Sequence, residues 1–73
     1  MYVIVELPNK KYECQGRIQD GTEYWTCDTL EEAIKSMKQF AKFMNGATKL
    51  KKKDILFLRQ QQVTRVEYVE FKP

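Results

Sequence analysis

Cys14 and Cys27 are the only thiols in a chain of 73 residues that has no histidine. A thiol pair can close a disulfide, exchange with other thiols or ligate a soft metal. The two lie thirteen positions apart, so they are not the C-x-x-C arrangement that redox chemistry favours, and without histidine they leave a four-ligand zinc site incomplete. Among the ten acidic residues are two close carboxylate pairs, Glu31 with Glu32 and Glu67 with Glu70. Acid–base catalysis by such a pair needs both carboxyls to converge on one substrate. Acidic residues opening a helix serve its dipole and cap instead, and residues three apart on a strand point to opposite faces. There is no G-x-S-x-G motif and no phosphate-cradling glycine loop, and the chain has three glycines in all. The residues therefore predict a protein that is not an enzyme, with no cofactor and no metal.

The lysines carry more information. Seven of them, Lys35, Lys38, Lys42, Lys49, Lys51, Lys52 and Lys53, fall in a stretch with no acidic residue. The first three sit at i, i+3 and i+7, one face of a helix, and the other four follow from its end. Lysine late in a helix suits the dipole, and solvated lysines keep a small protein soluble. As a binding site the same residues would form an electrostatic footprint for phosphate or for an acidic protein surface. Tyr2, Tyr24 and Tyr68 are the tyrosines that could stack on bases, and Tyr24 beside Arg17 is the best placed. No RNP, KH or zinc-finger signature is present, and the arginine and aromatic enrichment usual around a nucleic-acid patch is missing. A protein partner is accordingly the first expectation, and nucleic acid held by Lys35 to Lys53, with Arg17 and Tyr24 assisting, the second.

Several elements must position these groups. Residues 2–7 are rich in β-branched and aromatic types and lead into turn chemistry at Pro8-Asn9-Lys10, which predicts a first strand. Tyr12–Ile18 and Thr22–Cys27 flank Asp20-Gly21, a strong hairpin signal. With Asp20 and Gly21 as a two-residue turn, Ile18 faces Glu23, Gly16 faces Trp25, Arg17 faces Tyr24 and Cys14 faces Cys27. One face then collects Tyr12, Cys14, Ile18, Trp25 and Cys27; the other collects Glu13, Gln15, Arg17, Tyr24 and Thr26. A facing Cys14–Cys27 pair approaches the lower distance limit for a disulfide, yet in a reducing compartment both read as small buried hydrophobes.

Thr29-Leu30-Glu31-Glu32 is a capping-box pattern, and Leu30, Ala33, Ile34, Met37, Phe40, Ala41 and Met44 follow helical spacing up to the Asn45-Gly46 stop. A helix over residues 30–44 is predicted, its apolar stripe resting on the Trp25 face of the hairpin. Ile55–Leu58 reads as a buried strand, with a short helix capped by Asp54 as the alternative. Val63–Phe71 reads as a closing strand, either paired with the preceding one or continuous with it. The fold class expected is α+β, one helix packed on a four- to five-stranded antiparallel sheet in the order β-β-β-α-β-β.

At 73 residues there is room for one core, and residues 1–73 are read as a single domain. Hydrophobic residues make up 42% and charged residues 32%, which is too much apolar material for a disordered chain. The net charge of +3 is modest. No apolar run is long enough to span a bilayer and the first residues lack the pattern of a signal peptide, so a cytoplasmic protein without a membrane partner is expected. A sheet edge at Val63–Phe71 makes a homodimer plausible, since only Arg65, Glu67 and Glu70 blunt pairing there.

The short strand opening at Met1, the Thr29-Leu-Glu-Glu-Ala33 helix start and the closing Arg65-Val-Glu-Tyr-Val-Glu-Phe71 together resemble, in layout, the small accessory proteins of phages and mobile elements. That group includes anti-CRISPR and other host-enzyme inhibitors. The resemblance implies a protein that binds a host nuclease, polymerase or defence complex, and assigns no residue a role. Many such inhibitors are acidic mimics of DNA, and the positive charge here disfavours mimicry.

Overall fold

The computed structural model describes residues 1–61 and 66–73. Its elements are β1 (Tyr2–Glu6), β2 (Tyr12–Ile18), β3 (Gly21–Cys27), the helix α1 (Leu30–Asn45), a single 3-10 turn (Lys52–Asp54), β4 (Ile55–Gln61) and β5 (Glu67–Glu70). The expected closing strand began at Val63; residues 62–65 lie outside the described residues, and the strand described there is Glu67–Glu70, paired antiparallel with β4. One helix on a five-stranded sheet is the α+β layout that the sequence predicts. No helix among the described residues is long and apolar enough to cross a membrane.

The sheet order is β3-β2-β1-β4-β5, and three of its four junctions are antiparallel as expected. The fourth, β1 with β4, is parallel, so the sheet is mixed. Chain direction explains this. β1, β2, β3 and α1 alternate in direction, so β4 leaves the helix running the same way as β1 and can pair with it only in parallel. Both strands are apolar on both faces, Val3-Ile4-Val5 against Leu56-Phe57-Leu58, which is the pattern of strands that belong at the centre of a sheet.

The hairpin register differs from the sequence expectation. Ile18 pairs with Gly21, Gly16 with Glu23, Cys14 with Trp25 and Tyr12 with Cys27, so Cys14 and Cys27 do not face each other and Gly16 does not face Trp25. The two-residue loop is Gln19-Asp20. A turn centred on Asp20-Gly21 requires positive φ at both residues. Among the described non-glycine residues only Lys10 has positive φ, whereas Gly21 carries φ 152 and closes the turn. Moving the loop by one residue shifts the pairing by two, so every side chain keeps its expected face.

Helix α1 starts at Leu30 as expected and ends at Asn45, one residue beyond the expected Met44; of the expected capping box only the Thr29 half is present. The Thr29 hydroxyl accepts from the Glu32 backbone N–H at 3.1 Å, and Gly46, at φ 67, donates its N–H to the last turn. Ala33, Met37 and Ala41 are buried against the sheet, forming with Ile4, Cys14, Ile55 and Phe57 the apolar centre of the protein. Phe40 sits between Trp25, whose ring centroid is 4.9 Å away, and Tyr2, at 6.5 Å. Its ring covers the bare backbone of Gly16, where a Cβ would lie 2.3 Å from the ring edge. Met44, expected in the buried stripe, is instead 54% exposed, and its neighbour Phe43 is 78% exposed. In the last helical turn Asn45 donates to the Tyr2 hydroxyl and the Arg17 carbonyl, tying that end of the helix to β1 and β2.

Candidate functional site

The basic residues divide among different surfaces. Lys35 and Lys38 on the outer side of α1 meet Lys52 of the 3-10 turn along a groove of about 500 Å³ that Leu30, Glu31, Ile34 and Pro73 complete. The groove exists because the chain after α1 folds back beside it. Asp54 holds that return by accepting from the Lys51 backbone N–H at 3.0 Å, and Leu50 packs against the core. Leu30 and Ile34 are half-buried, so the groove has an apolar floor, three ammonium groups around it and one carboxylate.

Lys42, Lys49, Lys51 and Lys53 are exposed but do not line this groove. Lys42 lies over the Phe43 ring at 5.9 Å, in the last turn of the helix. Arg17 and Tyr24 are elsewhere again. Gly16 faces the helix, so pleat alternation sends Arg17 and Tyr24 to the opposite face of the sheet. Arg17 pairs in register with Thr22 and Tyr24 with Gln15, so the directly facing pair that the sequence suggested does not form. Arg17 and Tyr24 therefore do not form an aromatic platform beside the groove lysines. Leu30 and Ile34 pack against the core as their helical spacing predicts and also line the groove, a second role that spacing does not reveal because it does not tell a stripe's centre from its margin.

The thiols form a second polar cluster, this one under the helix. The Ser36 hydroxyl donates to the Ala33 carbonyl at 2.9 Å and accepts from the Trp25 indole N–H at 2.8 Å. Cys27 Sγ lies 3.5 Å from the same oxygen and Cys14 Sγ 4.0 Å, and Cys14 also donates to the Ala33 carbonyl. Both cysteines are free. Burial, together with the neighbouring Cys27, pushes the Cys14 thiol up to about 12, although the Ser36 hydrogen bond opposes the shift. A thiol so hard to ionise is a poor nucleophile and a poor metal ligand. Among the described residues no three cysteine, aspartate or glutamate side chains converge on a point.

At the far end of the sheet, Glu6 accepts from Arg59 at 2.8 Å and from the Tyr12 hydroxyl at 3.3 Å, while the Arg59 guanidinium lies over Phe71 at 4.9 Å. Burial first, and then Glu6, raises the Tyr12 hydroxyl above the usual phenol range. Each of these groups is satisfied by its neighbours, so the arrangement fastens β1, β2 and β4 together. Comparison with family models, curated proteins and solved structures gives no match.

Proposed function

We propose that the chain is a non-enzymatic protein-binding module whose helix-side groove takes a partner segment carrying both acidic and apolar side chains. The observation that carries this reading is the mixed lining of the groove: Lys35, Lys38 and Lys52 around Leu30 and Ile34, with Glu31 among them. A phosphate backbone gains nothing from an aliphatic lining, whereas an acidic-apolar peptide uses both the lysines and the apolar side chains; the Glu31 carboxylate disfavours either anion alike. The phage-like layout extends the proposal to an inhibitor or modulator of a host nucleic-acid enzyme or defence complex. Direct binding of nucleic acid is the second reading, favoured by the exposure of all seven lysines.

The test pairs two titrations by fluorescence anisotropy, one with labelled single- and double-stranded nucleic acid and one with a synthetic peptide alternating glutamate with leucine. The peptide should bind at physiological salt and lose at least roughly tenfold in affinity in the Lys35→Glu, Lys38→Glu variant, because each reversal sets like charges together. Nucleic acid should bind only at low salt, where counterion release is strongest. Sub-micromolar nucleic-acid binding that survives physiological salt and vanishes in the same variant would reverse the ranking.

A further inference from the structure

Helix α1 covers one face of the sheet, and no described element covers the other. By alternation that open face carries Val3 and Val5 from β1 and Leu56 and Leu58 from β4 at its centre, with polar residues including Thr26 and Gln60 and the tyrosines Tyr24 and Tyr68 farther out. Its centre is apolar. Val5, flanked in register by Glu13 and Leu58, is 1% exposed, and Val3, Leu56 and Leu58 are half-buried around it. Tyr24 and Tyr68, on strands at opposite edges of the sheet, are 62% and 53% exposed. An apolar centre with aromatic side chains at its margins is the anatomy of an interface rather than of a solvated sheet.

We propose that a second copy of this chain covers this face, the two sheets packing against each other about a two-fold axis that lies in the interface plane.

Area and charge both point to that occupant. A five-stranded face spans about 24 Å by about 20 Å at ordinary strand spacing and rise, so two copies would together bury on the order of 1,000 Å². That is enough for a reversible dimer and small for an obligate one. On the charge side, alternation places Arg17 on this face with Glu13 and Glu70, and the exposed Lys11 and Asp28 pair with each other at 3.2 Å. Two copies of so nearly balanced a surface do not repel, whereas the lysine-lined helix side would repel itself. Self-association therefore selects the sheet face and leaves the groove free.

Sedimentation velocity on the full chain tests this over a range from about 10 μM to about 1 mM, where an interface near the lower size limit should show reversible monomer–dimer exchange. The expected result is a dimer whose affinity falls at least roughly tenfold in a Tyr24→Glu, Tyr68→Glu variant, both positions being exposed enough to change without loss of fold. Circular dichroism of that variant confirms the fold, and Leu58→Gln, nearer the centre, should act in the same direction. A chain that stays monomeric to about 1 mM overturns the proposal. So does a dimer whose affinity the tyrosine variant leaves unchanged, since that would place pairing on the β3 or β5 edge.

Discussion

Cys14 illustrates how one buried residue links folding to solution conditions. Its thiol ionises near pH 9 in an unfolded chain and is pushed to about 12 in the fold, burial being the main cause. Between those values the unfolded chain holds fewer protons than the folded one, so the stability contributed by the neutral thiol is complete below about pH 9 and drains away as pH rises towards 12. Tyr12, raised by burial and by Glu6, adds a loss of the same sign above the usual phenol range. Urea midpoints measured from neutral to strongly alkaline pH should fall more steeply for the parent than for Cys14→Ala, and parallel curves would show that the thiol is not the group responsible. In the same state Cys14 should resist alkylation at mildly alkaline pH, because the thiolate is the reacting species. The sequence placed both cysteines correctly on the helix face. It could not supply their mutual geometry, because that depends on a loop one residue away from the expected turn, and the choice between the two loops rests on the backbone angle that Asp20 adopts.

At the scale of elements, the legible parts were those whose signal is local. The helix, its threonine cap and its glycine stop are read directly from Thr29 to Gly46, because capping and periodicity act within a few residues. The direction of β4 is also implicit in the alternation of elements, yet its place beside β1 is a non-local choice made by two strands that are apolar on both faces. The groove needed both pieces of information: Lys35 and Lys38 belong to the helix, but Lys52 reaches them only because β4 returns to the sheet centre. The joint between helix and sheet is itself testable at Gly16. A Cβ there would lie 2.3 Å from the Phe40 ring, which Trp25 and Tyr2 hold on either side, so the ring cannot simply swing away. Gly16→Ala should cost about 1–3 kcal/mol through overpacking. Phe40→Leu in the Gly16→Ala background should restore part of that loss, and the pair should be non-additive in chemical denaturation. Simple addition of the two single effects would mean that the helix shifts as a body and the ring contact is not what limits its approach.

The whole molecule measures 38 × 26 × 19 Å, a slab with the lysine groove on one broad side and the open sheet face on the other. That thickness decides whether the two surfaces sense each other. At physiological ionic strength the Debye length is about 8 Å, well short of 19 Å, so charge changes in the groove should hardly reach the sheet-side interface. Near 0.01 M salt the Debye length grows to about 30 Å and exceeds the slab, so the surfaces become coupled. Each lysine-to-glutamate reversal removes two units of charge, taking the formal net charge from +3 to −1 in the Lys35→Glu, Lys38→Glu variant. Two copies at −1 repel less than two at +3. The variant should therefore dimerise within about twofold of the parent at physiological salt and more tightly than the parent at low salt. Sedimentation of both proteins at the two ionic strengths measures this directly. A large loss of dimer at physiological salt would instead place the groove lysines in the self-association interface and remove the separation between the two sides of the slab.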